Sequence, residues 1–403
     1  MNSNTDSLWS IRGLPLVFSY LAFPAVDMLL RAGGVETFGS WIRSWIDGAW
    51  ILLLAIGSIA VLLKFPQRIG LPNIPPLGVL VAGTCAVISA TSLLRTGISL
   101  YPYVMELKPV AYAAVAFVWA LAFGLPKERA FLQAGSLLSG LIASELLIRS
   151  ALAHSVVHPI GSGEVNYDAC LIVLSLCLAL ADKTASEGQI SWLFFGVLAT
   201  FSRTGSITAL ALLLFSPRLA TSLKALAWVP AGFAVFLSFQ SRALELAVTQ
   251  IDRYIMWATA FQLFAQHPLG MVFGYGLGSA LPANMPAGLS DLWESQAEHL
   301  GISGIFAFQF HAMWLRLVMS WGSAVVLYAV VVLLRWAWQD RSPLARYLAI
   351  VTVAEGFTMG LFYLSNVSVP TYLLMAIAIK QLYARKHAAI AKPQFGYQLC
   401  PNS

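Results

Sequence analysis

An arginine set among small hydroxyl residues is a combination suited to binding anions, and it occurs at Thr200–Ser206, which reads TFSRTGS. Arg203 lies there between two short apolar runs, where a guanidinium is costly unless it meets water or an anion. Its planar fork suits a phosphate, and the helix expected to begin here turns its positive end the same way. An arginine that only snorkels to the membrane surface and fixes topology accounts for the same residues. The second feature is Asp252–Ser279, DRYIMWATAFQLFAQHPLGMVFGYGLGS. Its first half has the spacing of an amphipathic helix, with Arg253 in the first turn. His267-Pro268 ends that helix, because a residue before proline avoids helical backbone. Gly270, Gly274, Gly276 and Gly278 then make a turn-rich segment around Tyr275. A helix lying flat on the membrane, followed by a return loop, also fits. The GYGLG run is not a nucleotide loop, since no strand precedes it. The third feature, FQFHAMWLRLVMSWG at Phe308–Gly322, brings His311 to the mouth of a helix and Arg316 about a turn and a half deeper. An imidazole there is either a general base near neutral pH or an interfacial histidine among aromatics.

The elements that must position these residues are membrane helices. Of 403 residues, 59% are hydrophobic and only 10% charged, a balance that belongs in a bilayer and excludes a pair of soluble domains. Apolar runs of helical length fall near 10–31, 49–65, 75–94, 107–125, 130–152, 166–182, 189–201, 205–216, 219–239, 311–336, 344–364 and 367–383. The expected fold is therefore an all-α polytopic membrane protein of about 12 transmembrane helices with one large loop, roughly 240–310. The pair 189–201 and 205–216 is short, as two helices meeting at a polar turn or broken helices lining a cavity would be. The net charge of +6 is spread over short loops, which marks membrane topology and not nucleic-acid binding. With a cytoplasmic N-terminus most of the 24 basic residues fall inside. Arg203, Arg253 and Arg316 belong to the outer minority and group around the large loop, which then faces outward.

Smaller features add to this frame. Asn166 heads a helix, after a loop with His154 and His158, and either caps it or contacts a sugar. Glu145 and Arg149, four apart, are expected to pair. Glu355 lies within a span, where an acid calls for an arginine partner or a cavity. None of Cys85, Cys170, Cys177 and Cys400 falls in the loop, so no disulfide is expected. The first apolar run lacks a small-residue cleavage site and is read as an uncleaved helix.

The order of these pieces resembles the bacterial O-antigen ligase and polymerase superfamily. An asparagine heads an apolar helix, a serine-arginine turn joins two helices, an outer loop carries an arginine followed by Trp257, a His-Pro and Gly-x-Gly segment closes the loop, and a histidine starts the next helix. The shared domain covers 160–335, flanked by N-terminal helices in 1–159 and by C-terminal helices and a cytoplasmic tail in 336–403. The resemblance implies a GT-C-like glycosyltransferase of the bacterial inner membrane. Its donor would be a glycan on undecaprenyl pyrophosphate, its acceptor a glycan or lipid-linked unit at the periplasmic face, its surroundings membrane lipids, with a chain-length regulator as a further partner. By the same resemblance Arg203 and Arg253 bind the donor diphosphate and His311 is the base. Arg316, Asn166, Tyr275 and His299 are the further candidates for substrate contact. The family usually has asparagine after the histidine, where this chain has Ala312, which leaves His299 as the fallback base. Metal-using lipid-linked glycosyltransferases place paired acids in an early outer loop. Here that loop offers only Glu36 and Asp47, far apart, so neither a metal nor another cofactor is expected. Displacement at the anomeric carbon would then rest on fixed arginines at the leaving diphosphate and on the histidine at the incoming hydroxyl, with inversion.

A polymerase, transferring the chain to another lipid-linked repeat, and a ligase, transferring it to lipid A-core, need the same donor site. The departure at Ala312 favours the polymerase. A membrane transporter is the reading from another class. It would need polar residues at the midplane of several helices and two matching halves, and the sequence offers Glu355 and no such symmetry.

Overall fold

The computed structural model describes residues 7–33, 40–64, 86–94, 98–157, 159, 165–240, 252–284, 286, 289, 293–294, 298, 300–339 and 342–390. Among them the secondary structure is helical, with one isolated bridge, Leu281 to Ile305. The N-terminal helices are α1 (Ile11–Arg31, with a π turn at Phe18–Ala22), α2 (Ser40–Lys64), α3 (Leu100–Phe123) and α4 (Glu128–Ala153). The middle of the chain forms α5 (Val165–Ala181), α6 (Glu187–Ala199), α7 (Arg203–Phe215), α8 (Thr221–Gln240), α9 (Asp252–Gln266) and α10 (Pro268–Phe273). The last are α11 (Met313–Trp321), α12 (Ser323–Gln339), α13 (Pro343–Gly356) and α14 (Ser368–Ile390).

Among the described residues, four helices are long and apolar enough to cross a membrane: Ile11–Arg31, Trp45–Leu63, Leu100–Phe123 and Glu128–Ala153. Val165–Ala181, Arg203–Phe215, Lys224–Leu237 and Ser323–Trp338 are apolar but shorter. Two expected spans end differently from the hydropathy reading. The run 311–336 is two helices, broken at Gly322, whose φ is +87°. The run 344–364 is helical only to Gly356, after which the chain turns and enters a short 3₁₀ segment, Leu361–Tyr363. Asp47, expected in a loop, lies within α2. Most of 75–94 falls outside the described residues.

α5 is apolar on every side, and it is buried on almost every side as well, enclosed by α4, α6, α7 and α13. A helix without a polar face belongs at the centre of such a bundle. Small residues let its neighbours close in: a Cβ on Gly135 of α4 would lie 2.4 Å from the Ser175 side chain of α5, and one on Gly196 of α6 would lie 2.1 Å from Ser139 of α4. Close approach at small residues is how helices pack tightly where lipid gives no hydrophobic drive. Short turns reverse the chain between α5, α6 and α7, so the starts of α5 and α7 share one end. α13 runs antiparallel to α7, since Tyr347 meets Ser216 at one end and Glu355 meets Thr208 nearer the other. That register carries the turn after α13 level with the start of α7.

The large loop has its own apolar cluster. Met256, Ala260, Leu263 and Phe264 on one face of α9 pack with Leu281, Trp293, Ile305, Phe310, Leu315 and Met319, and Trp293 meets Phe310 at 5.2 Å between ring centres. The break at Gly322 serves this arrangement. A Cβ there would fall 2.3 Å from the Val272 carbonyl oxygen of α10, and the positive φ already disfavours any other residue. Gly322→Ala is expected to cost roughly 2–4 kcal/mol, because strain and a backbone clash act together. Gly301 is also left-handed but has nothing within 4 Å of a Cβ, so Gly301→Ala is expected to cost about 1 kcal/mol. Thermal unfolding of the two purified variants checks the difference, and equal losses would refute the close-packing argument.

Candidate functional site

The Ser-Arg turn is built from its own hydroxyls. Ser202 caps α7, accepting a hydrogen bond from Gly205 N–H at 3.1 Å. Its own hydroxyl donates to Asn166 Oδ1 at 2.7 Å. The Thr200 hydroxyl donates to the Val197 carbonyl at 2.6 Å and accepts from Ser202 N–H at 3.1 Å. Phe201 is buried with φ +52°, a left-handed conformation that a bulky residue rarely adopts and that clusters at functional sites. Arg203, half-buried, is the first residue of α7. Asn166 thus tethers the start of α5 to this turn, through its side chain, from the second position of its helix.

Arg253 enters from the loop. Its Nε donates to the Thr358 carbonyl at 2.7 Å. Trp257, one turn later on the same face of α9, donates from Nε1 to the Phe357 carbonyl at 3.1 Å and stacks on the Phe357 ring. Both bonds fall on carbonyls just past the end of α13, where a helix leaves acceptors unpaired and its dipole favours a cation. His311 reaches the same turn. Its side chain is exposed, its backbone N–H donates to Met256 Sδ at 3.5 Å, and the next-but-one N–H, of Met313, donates to the Met359 carbonyl at 3.0 Å. Ala312, where the family pattern has asparagine, is buried in the loop's apolar cluster.

Phe357–Gly360 is therefore the hub that joins the loop arginine and the histidine, and the antiparallel register of α13 and α7 sets it level with the Arg203 turn. Three helix starts (α5, α7 and α11) and the first turn of α9 meet at this end of the bundle. The positive ends of these helices make it favourable for an anion. The hub was not singled out in the sequence, because FTMG reads as more apolar span.

Arg316 is placed differently from the other two arginines. It is buried, and its Nη2 donates to Glu106 Oε1 at 2.8 Å and to the Met105 carbonyl at 3.2 Å. Its guanidinium lies 3.6 Å from the centre of the Tyr363 ring. Ser320 donates to the other Glu106 oxygen at 2.8 Å. A second network on α3 lies nearby: Lys108 pairs with Asp47 at 2.7 Å, and Tyr112 donates to the same carboxylate at 2.6 Å. Glu106 escaped the sequence reading, although an acid in an apolar helix is the signal that could have found it.

Tyr275 and His267 lie apart from the hub. They line, with Gln266, a surface depression of about 490 Å³ at the far end of α9, about 21 Å from Arg253 at 1.5 Å per residue. Partial burial raises the Tyr275 pKa, so its hydroxyl stays protonated. Its backbone N–H donates to the Met319 carbonyl at 2.7 Å. His299 and His158 lie outside the described residues. Glu145 and Arg149 pair at 3.3 Å, as expected. Cys170 and Cys177 are buried free thiols in α5, while Cys85 and Cys400 fall outside the described residues. Among the described residues no three His, Cys, Asp or Glu side chains gather as metal ligands would.

Fold and site together define an all-helical protein with helices suited to a membrane and a cationic end crowned by a folded loop. No protein-family model, no curated protein and no solved structure matches the chain.

Proposed function

We propose that the protein is a polymerase of lipid-linked glycan, acting with about twelve spans in the bacterial inner membrane and its site at the periplasmic face. Arg203 and Arg253 hold the diphosphate of an undecaprenyl-linked donor. His311 takes the proton from the hydroxyl of a lipid-linked repeat, and the hydroxyl oxygen attacks the anomeric carbon. The bond to the diphosphate breaks with its electron pair going to the leaving oxygen, and the configuration inverts. The observation that carries this reading is the convergence of Arg253 and His311 on the Phe357–Gly360 turn, level with the Arg203 turn. Guanidinium groups fixed before the substrate arrives stabilise negative charge as it develops on the leaving group without reorganising. An exposed histidine at the same turn would meet the acceptor.

The test is the product. Deleting the gene in its host is expected to leave a single repeat unit on the acceptor lipid, and the intact chain supplied in trans is expected to restore a ladder. A lipid-linked polymer accumulating with a bare core would instead mean a ligase. His311→Ala in membranes supplied with donor and acceptor is expected to lower kcat about 10²–10⁴-fold with donor KM little changed. Full turnover in that variant would remove His311 as the base.

A further inference from the structure

Between Arg253 and Asp291 the chain carries no Lys, Arg, Asp or Glu. A segment of that length lying in water would hold several, since about 25% of the residues of a soluble domain are charged. What it exposes is apolar instead. α9 buries Met256, Ala260, Leu263 and Phe264, yet Tyr254 and Phe261, two turns apart on another side, are exposed. That exposed stripe runs on into α10, where Leu269 is 73% and Phe273 70% exposed, with Met271 and Val272 exposed between them. Gln262, Gln266 and His267 are its exposed polar neighbours. A helix that is apolar on two sides has one more than a protein surface in water calls for.

The contacts of α9 fix where this stripe lies. Met256 Sδ accepts from the His311 N–H just before α11, Leu263 and Phe264 share a cluster with Leu315 and Met319, and the Tyr275 N–H reaches the Met319 carbonyl. α9 therefore follows α11 from the hub to the break at Gly322. α11 in turn crosses α3, because Arg316 and Ser320 both bond Glu106 while Trp321 shares a cluster with Tyr103, less than a turn away. At the break α10 packs against the start of α12. α12 and α13 are antiparallel, since Arg346 near the start of α13 donates to the Ala337 carbonyl near the end of α12. Their 17 and 14 residues span about 25 and 21 Å, so α12 begins roughly level with the hub. From there Leu327, Val331 and Trp338 lie exposed along α12.

We propose that the α9–α10 corner is seated in the bilayer, with Leu269, Met271, Val272 and Phe273 among the acyl chains of the leaflet at the hub end and Gln262, Gln266 and His267 at headgroup level. Continuity selects this occupant. The exposed apolar face of α12 begins where α10 packs, so a soluble partner covering α10 would have to enter the same leaflet. An apolar face beside short polar side chains is the pattern of a helix held in the interface, and burying it among acyl chains removes apolar surface from water. α9 is then fixed at both ends: by Arg253 and Trp257 on the turn after α13, and by lipid at α10. The inference stands whether or not the chain transfers glycan.

The experiment uses the full chain in phosphatidylcholine nanodiscs, with Cys85 and Cys400 changed to serine and the buried Cys170 and Cys177 kept. A nitroxide is attached in turn to Leu269→Cys, Phe273→Cys and Phe261→Cys, to Leu327→Cys on α12, and to Ser303→Cys, an exposed position elsewhere in the loop. Relaxation of each label by dissolved oxygen, which concentrates in lipid, is compared with relaxation by a water-soluble nickel chelate. The labels at 269 and 273 are expected to follow the label at 327, with an oxygen-to-nickel ratio severalfold above that at 303. The label at 261 is expected to fall between, as a helix at the interface requires. Labels at 269 and 273 as open to nickel as the one at 303 would place the corner in water and overturn the inference. Shielding of both labels from both reagents would mean that protein, a second copy included, covers the corner, and would overturn it as well. A nickel-accessible label at 327 would remove the lipid-facing helix on which the continuity depends, and the inference with it.

Discussion

Arg253→Ala is expected to lower glycosyl transfer by about 10²–10³-fold, the loss typical of one preorganised donor at a developing negative charge. Arg203→Ala should cost a similar factor. The pair is expected to lose less than the product of the single losses, because groups acting on one leaving anion do not contribute independently. Lysine at either position should recover only part of the rate, since a point charge replaces a bidentate fork. Arg253 also ties α9 to the turn after α13 through Thr358, so the alanine variant removes a tether along with a charge. Thermal unfolding separates the two effects: Arg253→Lys should unfold close to the parent yet remain slow. The assay is transfer from a lipid-linked donor by the purified protein. An Arg253→Ala variant within about threefold of the parent, at equal protein level, would end the proposal that this arginine meets the leaving group.

The second large effect is expected at the buried pair on α3 and α11. Glu106→Gln or Arg316→Met alone leaves one charge uncompensated in a dry interior, which typically costs about 3–5 kcal/mol. The double variant Glu106→Gln, Arg316→Met removes both charges and is expected to recover most of that loss. This cycle also decides what Arg316 does. The sequence reading gave it to substrate, while the structure seats it on Glu106, Met105 and the ring of Tyr363. If it is a pin between helices, the double variant folds and transfers glycan. If it grips substrate, the double variant folds and stays inactive. Unfolding midpoints together with turnover distinguish these outcomes, and a pin is the expected result.

What the sequence made legible was local. The start of α7 within the TFSRTGS turn, the end of α9 at His267-Pro268, and the pairing of Glu145 with Arg149 all follow from neighbours in the chain. The breaks at Gly322 and Gly356 were missed because hydropathy averages over a window. Phe357, Met359, Leu361, Phe362 and Leu364 keep the average high although the helix has ended. The hub was missed for a related reason: its atoms are backbone carbonyls, which no side-chain pattern announces. The pairings of Glu106 with Arg316 and of Asp47 with Lys108 were hidden because the partners lie 210 and 61 residues apart. Asn166 was left as a cap or a sugar ligand, and only the fold shows that its oxygen receives the Ser202 hydroxyl.

The tight seams at Gly135 and Gly196 bear on traffic. No gap beside those positions admits even a methyl group, so the seams between α4, α5 and α6 are closed there. Under the proposed function, a lipid-borne donor would reach the Arg203 turn by a flank other than these two seams.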